Sequence, residues 1–187
     1  PLVLPLEHRL ALLEGLGVDA ALLMPFTAEF SRTGAEDFVR TVLVQALGVR
    51  SVVVGYNFRF GHRRLGTPAL LRDLGAVHGF SVDEIGEVLV EGLAVSSSKV
   101  RQAVTSGDMR LAALLLGRPF SLRGHVAHGK QRGRLLGFPT ANVSAGVELL
   151  PALGVYAARA SGGALRDHPA VVNVGVNPTF AADGAPV

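Results

Sequence analysis

At 187 residues, 49% of them hydrophobic and 18% charged, the chain is long enough for one large or two small packed cores and reads as globular. The absence of cysteine excludes a disulfide framework, a thiolate metal centre and a cysteine nucleophile. Together with the lack of any apolar run near the roughly 20 residues that cross a bilayer, it predicts a soluble, cytoplasmic protein. A net charge of +3 is small for a nucleic-acid-binding body, and the cations gather at 59–64, 99–101 and 130–134, which favours separate sites for small anions over a continuous basic stripe.

In chain order, Leu6, Leu10 and Leu13 stand at helical spacing behind Pro5, predicting a helix over 5–16 that Gly15 and Gly17 end. The short apolar run 20–25 predicts a buried strand. Thr33-Gly-Ala-Glu36 has the spacing of a capping box, opening a helix that runs to about Leu47 with Phe38, Val42, Leu43, Ala46 and Leu47 inward and Gly48 closing it. Residues 49–54 are rich in β-branched side chains and predict a strand covered on both faces of a parallel sheet. The stretch that follows, Gly55-Tyr-Asn-Phe-Arg-Phe-Gly61-His-Arg-Arg-Leu-Gly66, leaves the sheet at the carboxyl end of that strand, where open α/β sheets place their ligands. On spacing alone it is equally a loop whose Phe58 and Phe60 cover the sheet edge.

Thr67-Pro68 caps a further helix ending near Gly79, and 80–85 and 88–90 supply more strand. Ser96-Ser-Ser-Lys-Val-Arg101 sets three hydroxyls at a helix N-terminus, where free N–H groups and the positive end of the dipole favour an anion; an ordinary cap accounts for one of them. A short helix over 108–116 leads to Gly117-Arg-Pro119, the expected domain boundary. Beyond it, short strands at 121–127, 154–160 and 169–176 with glycine- and proline-rich connections predict a small antiparallel barrel. The expected fold is thus an α/β domain with a parallel sheet, residues 1–117, followed by a β-barrel domain, residues 118–187.

Within the second part, Gly124-His-Val-Ala-His-Gly-Lys-Gln-Arg-Gly-Arg-Leu-Leu-Gly-Phe-Pro-Thr-Ala-Asn142 combines glycines that let backbone N–H groups approach an anion, the cations Lys130, Arg132 and Arg134, and the neutral oxygens of Thr140 and Asn142, which suit magnesium. It is not a Walker loop, since no GxxxxGK followed by Ser or Thr is present. Alone, such a segment is as readily a solvated hairpin turn.

Four motifs resemble known families. Arg134-Leu-Leu-Gly-Phe-Pro-Thr-Ala-Asn142 resembles the GRxLGFPTAN signature of riboflavin kinases, and Val171-Val-Asn-Val-Gly-Val-Asn-Pro-Thr-Phe180 resembles the NVGxxPTF strand and turn of the same family. The 55–66 loop resembles the phenylalanine- and glycine-bearing motif of bacterial FAD synthetases, and Ser96–Arg101 the ISSxxIR element of nucleotidyltransferases. The resemblance is to the bacterial bifunctional riboflavin kinase/FMN adenylyltransferase family, and it implies a nucleotidyltransferase-like (Rossmann-like) domain ahead of a riboflavin kinase-like barrel. It implies ATP and Mg2+ as cofactors, riboflavin and FMN as substrates, and small molecules as partners, with no nucleic acid and no membrane; self-association is left open. The matched positions are Asn57, Phe58, Ser97, Ser98 and Arg101 for ATP and FMN in the first domain. In the second they are Gly129, Lys130, Arg134, Gly137, Pro139, Thr140 and Asn142 for ATP phosphates, with Thr140 and Asn142 also on the metal.

The family's GxFDGxHxGH histidines and its kinase glutamate have no match here, so no catalytic group is named and the chain is expected to be a fragment that binds without full turnover. A non-catalytic flavin or nucleotide sensor is the alternative, and a nucleic-acid-binding protein built on the basic loops the third reading.

Overall fold

Val52 and Val54 alternate with Ser51 and Val53, and that period of two forms β1 (Ser51–Gly55), the strand the first site hangs from. A computed structural model describes residues 1–127, 140–146 and 149–175. The chain divides into two compact units, Ala20–Ala94 and Pro1–Asp19 with Val95–Val187.

In the first of these, β1 pairs in parallel with β2 (Ser81–Ile85), Ser51 opposite Ser81 and Gly55 opposite Ile85. The crossover is α3 (Pro68–His78), opened by the Thr67 hydroxyl accepting from the Leu70 amide at 3.2 Å and closed by Gly79 in the left-handed conformation. Val54, Phe60, Leu71, Phe80 and Val39 form the buried core, joined by the half-buried Phe38, Leu43, Val44 and Val52. The expected cover on both faces of β1 is corrected: Val53 is 64% exposed, because the helices pack on the Val52 and Val54 side only.

The helix expected from a Thr33 capping box starts instead at Ala35, with Gly34 before it and no side-chain cap. From α2 (Ala35–Phe38) it continues over Val39–Ala46 as π-helix. Five-residue hydrogen bonds such as Leu47 N to Val42 O widen the turns, so Val39, Leu43 and Val44 face inward while Ala46 and Leu47 face solvent. Residues 20–25 form no strand; Leu22 is 62% exposed, since no neighbouring segment among the described residues offers them a ladder. A short antiparallel pair, β3 (Leu89–Val90) with β4 (Leu93–Ala94), ends the unit.

The other unit begins with α1 (Leu6–Gly15), where His8 rather than the leucines is the buried residue. It continues with α4 (Ser97–Ser106) and α5 (Met109–Leu116), capped by the Ser96 and Asp108 side chains and ended by left-handed Gly107 and Gly117. Their core is Val100, Ala103, Val104, Ala112 and Leu115 with Leu149. The strands that follow form two antiparallel pairs: β5 (His125–Ala127) with β6 (Asn142–Ser144), and β7 (Gly154–Gly162) with β8 (Leu165–Val174). Tyr156 and Ala158 face inward opposite Val172 and Ala170, and the Tyr156 hydroxyl donates to the Ala152 carbonyl at 2.6 Å. β5 starts later than residue 121, and β8 starts earlier than residue 169 because a tight turn at Gly163 lets the hairpin zip to its end. The expected antiparallel strands are present; among the described residues they form two separate pairs, with no ladder joining one pair to the next.

Candidate functional site

The loop after β1 is shaped by its glycines and by one bridge. Phe60 and Gly66 pair in antiparallel fashion, with Phe60 N to Gly66 O at 3.2 Å and Gly66 N to Phe60 O at 2.8 Å, so the chain leaves and returns at one point. Gly66 must lack a side chain, since a Cβ there would lie 2.7 Å from the Phe60 ring. Phe60 is thereby buried, with Phe58 stacked on it at 5.4 Å and 19°.

The aromatic chain extends beyond the loop. Phe60 meets Phe38 at 5.8 Å, Phe38 meets Phe30 at 6.3 Å, and Phe30 meets Phe26 edge-on at 5.9 Å. Between these rings lies a pocket of about 230 Å3. One wall is Phe26, Phe30, Ser31, Thr33 and Phe38; the other is Arg59, Phe60 and Gly61. A cavity of phenylalanine faces with one guanidinium suits a flat conjugated ring that carries an anionic group. Arg59 is steadied by donating from Nη1 to the Phe58 carbonyl at 2.9 Å.

Of the residues expected here, Asn57 is exposed with no side-chain partner among the described residues, and Phe58 backs the pocket wall rather than lining the cavity. Sequence reasoning missed Phe26 and Phe30, whose spacing matches no motif, and did not single out Phe60 from the motif of the 55–66 loop; only the fold converges the three rings. Beside the loop, Tyr56 donates to Glu87 Oε1 at 3.2 Å, and that hydrogen bond, with the carboxylate's charge, holds the phenol above its ordinary pKa.

Ser97, Ser98 and Arg101 belong to the other unit. Ser96 performs the cap, its Oγ accepting from the Lys99 amide at 3.3 Å, which leaves the Ser97 and Ser98 hydroxyls exposed and without partners among the described residues. Arg101 donates from Nε to the Pro1 carbonyl at 2.7 Å, on the same first turns of α4. A helix N-terminus with two free hydroxyls and a guanidinium can hold a phosphate. Thr140 and Asn142 are both exposed, and Asn142 opens β6 opposite Ala127. Their side-chain oxygens have no partner among the described residues, which fits a hard cation such as magnesium. Gly129, Lys130, Arg134, Gly137 and Pro139 lie outside the described residues.

An aromatic cavity past the carboxyl end of a parallel strand, beside a βαβ crossover, marks an α/β protein with a cavity where such folds place ligands. The chain belongs to the FAD synthetase family, whose model matches residues 2–99, and residues 116–186 match the riboflavin kinase model. It is 40% identical over 184 residues to the bifunctional riboflavin kinase/FMN adenylyltransferase of Pseudomonas fluorescens, covering 98% of this chain and 59% of that protein. To the protein of the same name from Escherichia coli K12 it is 39% identical over 176 residues, covering 94% of this chain and 56% of that protein. The chain thus spans rather more than half the length of these relatives. A solved structure described as a macrolide-efflux protein from Streptococcus pneumoniae superposes with a TM-score of 0.81 at 30% identity, covering 97% of this chain and 58% of that one. Among the described residues no helix is long and apolar enough to cross a membrane.

Proposed function

We propose that the protein makes flavin cofactors in two steps, phosphorylating riboflavin to FMN with one ATP and transferring AMP from a second ATP to FMN to give FAD. The observation that carries this reading is the phenylalanine-walled pocket with Arg59 at its edge, placed where an α/β fold binds ligands and of a chemistry that suits a flavin ring. The family matches to both halves support the pairing of activities.

In the adenylylation step a phosphate oxygen of FMN attacks the α-phosphorus of ATP and pyrophosphate leaves. The ring of Phe60, backed by Phe58, holds the flavin in the pocket and Asn57 of the same loop contacts the ligand from outside the cavity, while Ser97, Ser98 and Arg101 neutralise the triphosphate at the α4 N-terminus. In the kinase step the riboflavin hydroxyl attacks the γ-phosphorus of ATP, its proton passes to a base, and ADP leaves. Gly129, Lys130, Arg134, Gly137 and Pro139 cradle the phosphates, and Thr140 and Asn142 would hold Mg2+, which would supply neutralisation of the phosphate charge. The two activities divide at residues 117 and 118, the second on a barrel that closes around its substrate. Both use small molecules in the cytoplasm, without nucleic acid or membrane.

The test is chromatography of products after incubating the full-length protein with Mg-ATP and either riboflavin or FMN. Conversion of riboflavin to FMN and of FMN to FAD is expected. Tight flavin binding with no product from either substrate would instead make the protein a sensor.

A further inference from the structure

We infer that His62 is a positioning residue for FMN, latching one wall of the aromatic pocket to the other; the inference rests on the reading of that pocket as the flavin site. The pocket walls come from separate stretches of chain: the turn at Phe30–Arg32 with its flanks, and the loop after β1. His62 joins them twice. Its backbone N donates to the Thr33 carbonyl at 2.7 Å, and its ring Nδ1 lies 3.0 Å from the Ser31 carbonyl. A carbonyl only accepts, so Nδ1 carries the proton in this contact, and both the neutral ring in that tautomer and the imidazolium can provide it.

The latch is effective because what it holds is stiff. Gly61, at φ +70°, passes so close to α2 that a Cβ there would lie 2.6 Å from the Ala35 backbone, so the loop cannot move further in. Outward movement is resisted by His62. Phe60 is tied to this loop by its two hydrogen bonds to Gly66, so the position of its ring follows the position of residues 61 and 62. Loss of the Nδ1 contact should let the Phe60 and Arg59 wall drift from Phe30 and Ser31, loosening the grip on a planar ring without removing any group that touches the reacting atoms.

The experiment compares wild type, His62→Ala, His62→Asn and His62→Gln in the full-length protein. FMN binding is read by fluorescence titration, FAD formation by steady-state kinetics, and folding by thermal melting. An asparagine amide nitrogen sits at the same reach from Cβ as Nδ1, whereas a glutamine amide sits one bond further out. His62→Ala is expected to raise Kd and KM for FMN about tenfold, the size of one lost hydrogen bond, with kcat within about twofold. His62→Asn is expected to restore binding to within about threefold and His62→Gln is not. Unchanged KM in His62→Ala, equal behaviour of the Asn and Gln variants, or a fall in kcat at constant KM would overturn the latch. Should His62→Ala melt early, the Asn and Gln pair decides the question alone. Failure of the wild type to bind FMN would overturn the flavin reading of the pocket, and the latch with it, and is seen in the wild-type arm before any variant is compared.

Discussion

His8 is only 4% exposed, its Nδ1 has no hydrogen-bond partner among the described residues, and its Nε2 lies 3.5 Å from the Ser121 hydroxyl. Burial, then the positive charges of Arg123 and Arg118, push its pKa below the ordinary histidine value. The folded state therefore prefers the neutral ring. Below about pH 6.5 the unfolded chain takes up a proton that the folded chain resists, so the stability His8 contributes at neutral pH is lost as pH falls toward the folded pKa. Urea unfolding at pH 7.5 and 5.5 should show a loss in the wild type that is smaller in His8→Leu. Gly61 makes a different demand, for a left-handed residue with no room for a Cβ beside Ala35. Gly61→Ala should cost on the order of 1–3 kcal/mol by thermal or urea melting. For the proposed adenylylation, Arg101→Ala should slow FAD formation by roughly 100-fold, the effect of one lost charge-assisted contact in the transition state. Unchanged FAD synthesis would remove Arg101 from the triphosphate.

Helix ends are where the chain is most readable. Thr67 before Pro68 and Asp108 before Met109 bond the amides of Leu70 and Leu111, and each helix stops at a left-handed glycine. Each end needs only a few consecutive residues, so their local chemistry suffices. Thr67→Ala and Asp108→Ala should each destabilise by about 1 kcal/mol in urea titrations, with little effect on the other's helix. Residues 20–25 show the converse. Apolar content marks them as strand-like, but a strand exists only against a partner, and none of the described segments pairs with Leu22 or Leu23. The π turns after Phe38 were hidden for a related reason: Val42, Leu43 and Val44 are all apolar, so the sequence is compatible with either Leu43 and Val44 or Ala46 and Leu47 facing inward.

At the scale of the molecule, the candidate site was legible only as far as contiguous motifs carried it. Asn57, Phe58 and the serines before Lys99 could be singled out because each lies in a short stretch at the end of a strand or the start of a helix. The far wall could not, since Phe26 and Phe30 reach Phe38 and Phe60 only through the packing of Ala20–Ala94. The proposed division of labour between the two halves makes a separable prediction. Asn142→Ala should depress riboflavin phosphorylation while adenylylation of supplied FMN stays near the wild-type rate, in parallel assays of the full-length protein. Equal loss of both would place Asn142 in a structural role.

The wide turns of Val39–Ala46 bear on which changes of length this unit can absorb. Surplus backbone is stored there, so an insertion or deletion of one residue can tighten or loosen a turn while Val39 stays in the core and Phe38 keeps its place on the pocket. β1 has no such slack, because a shift of one residue in a strand would send Val52 and Val54 to solvent and bring Val53 inward. Gaps in an alignment of homologues should accordingly collect in the helix and spare the strand that follows it.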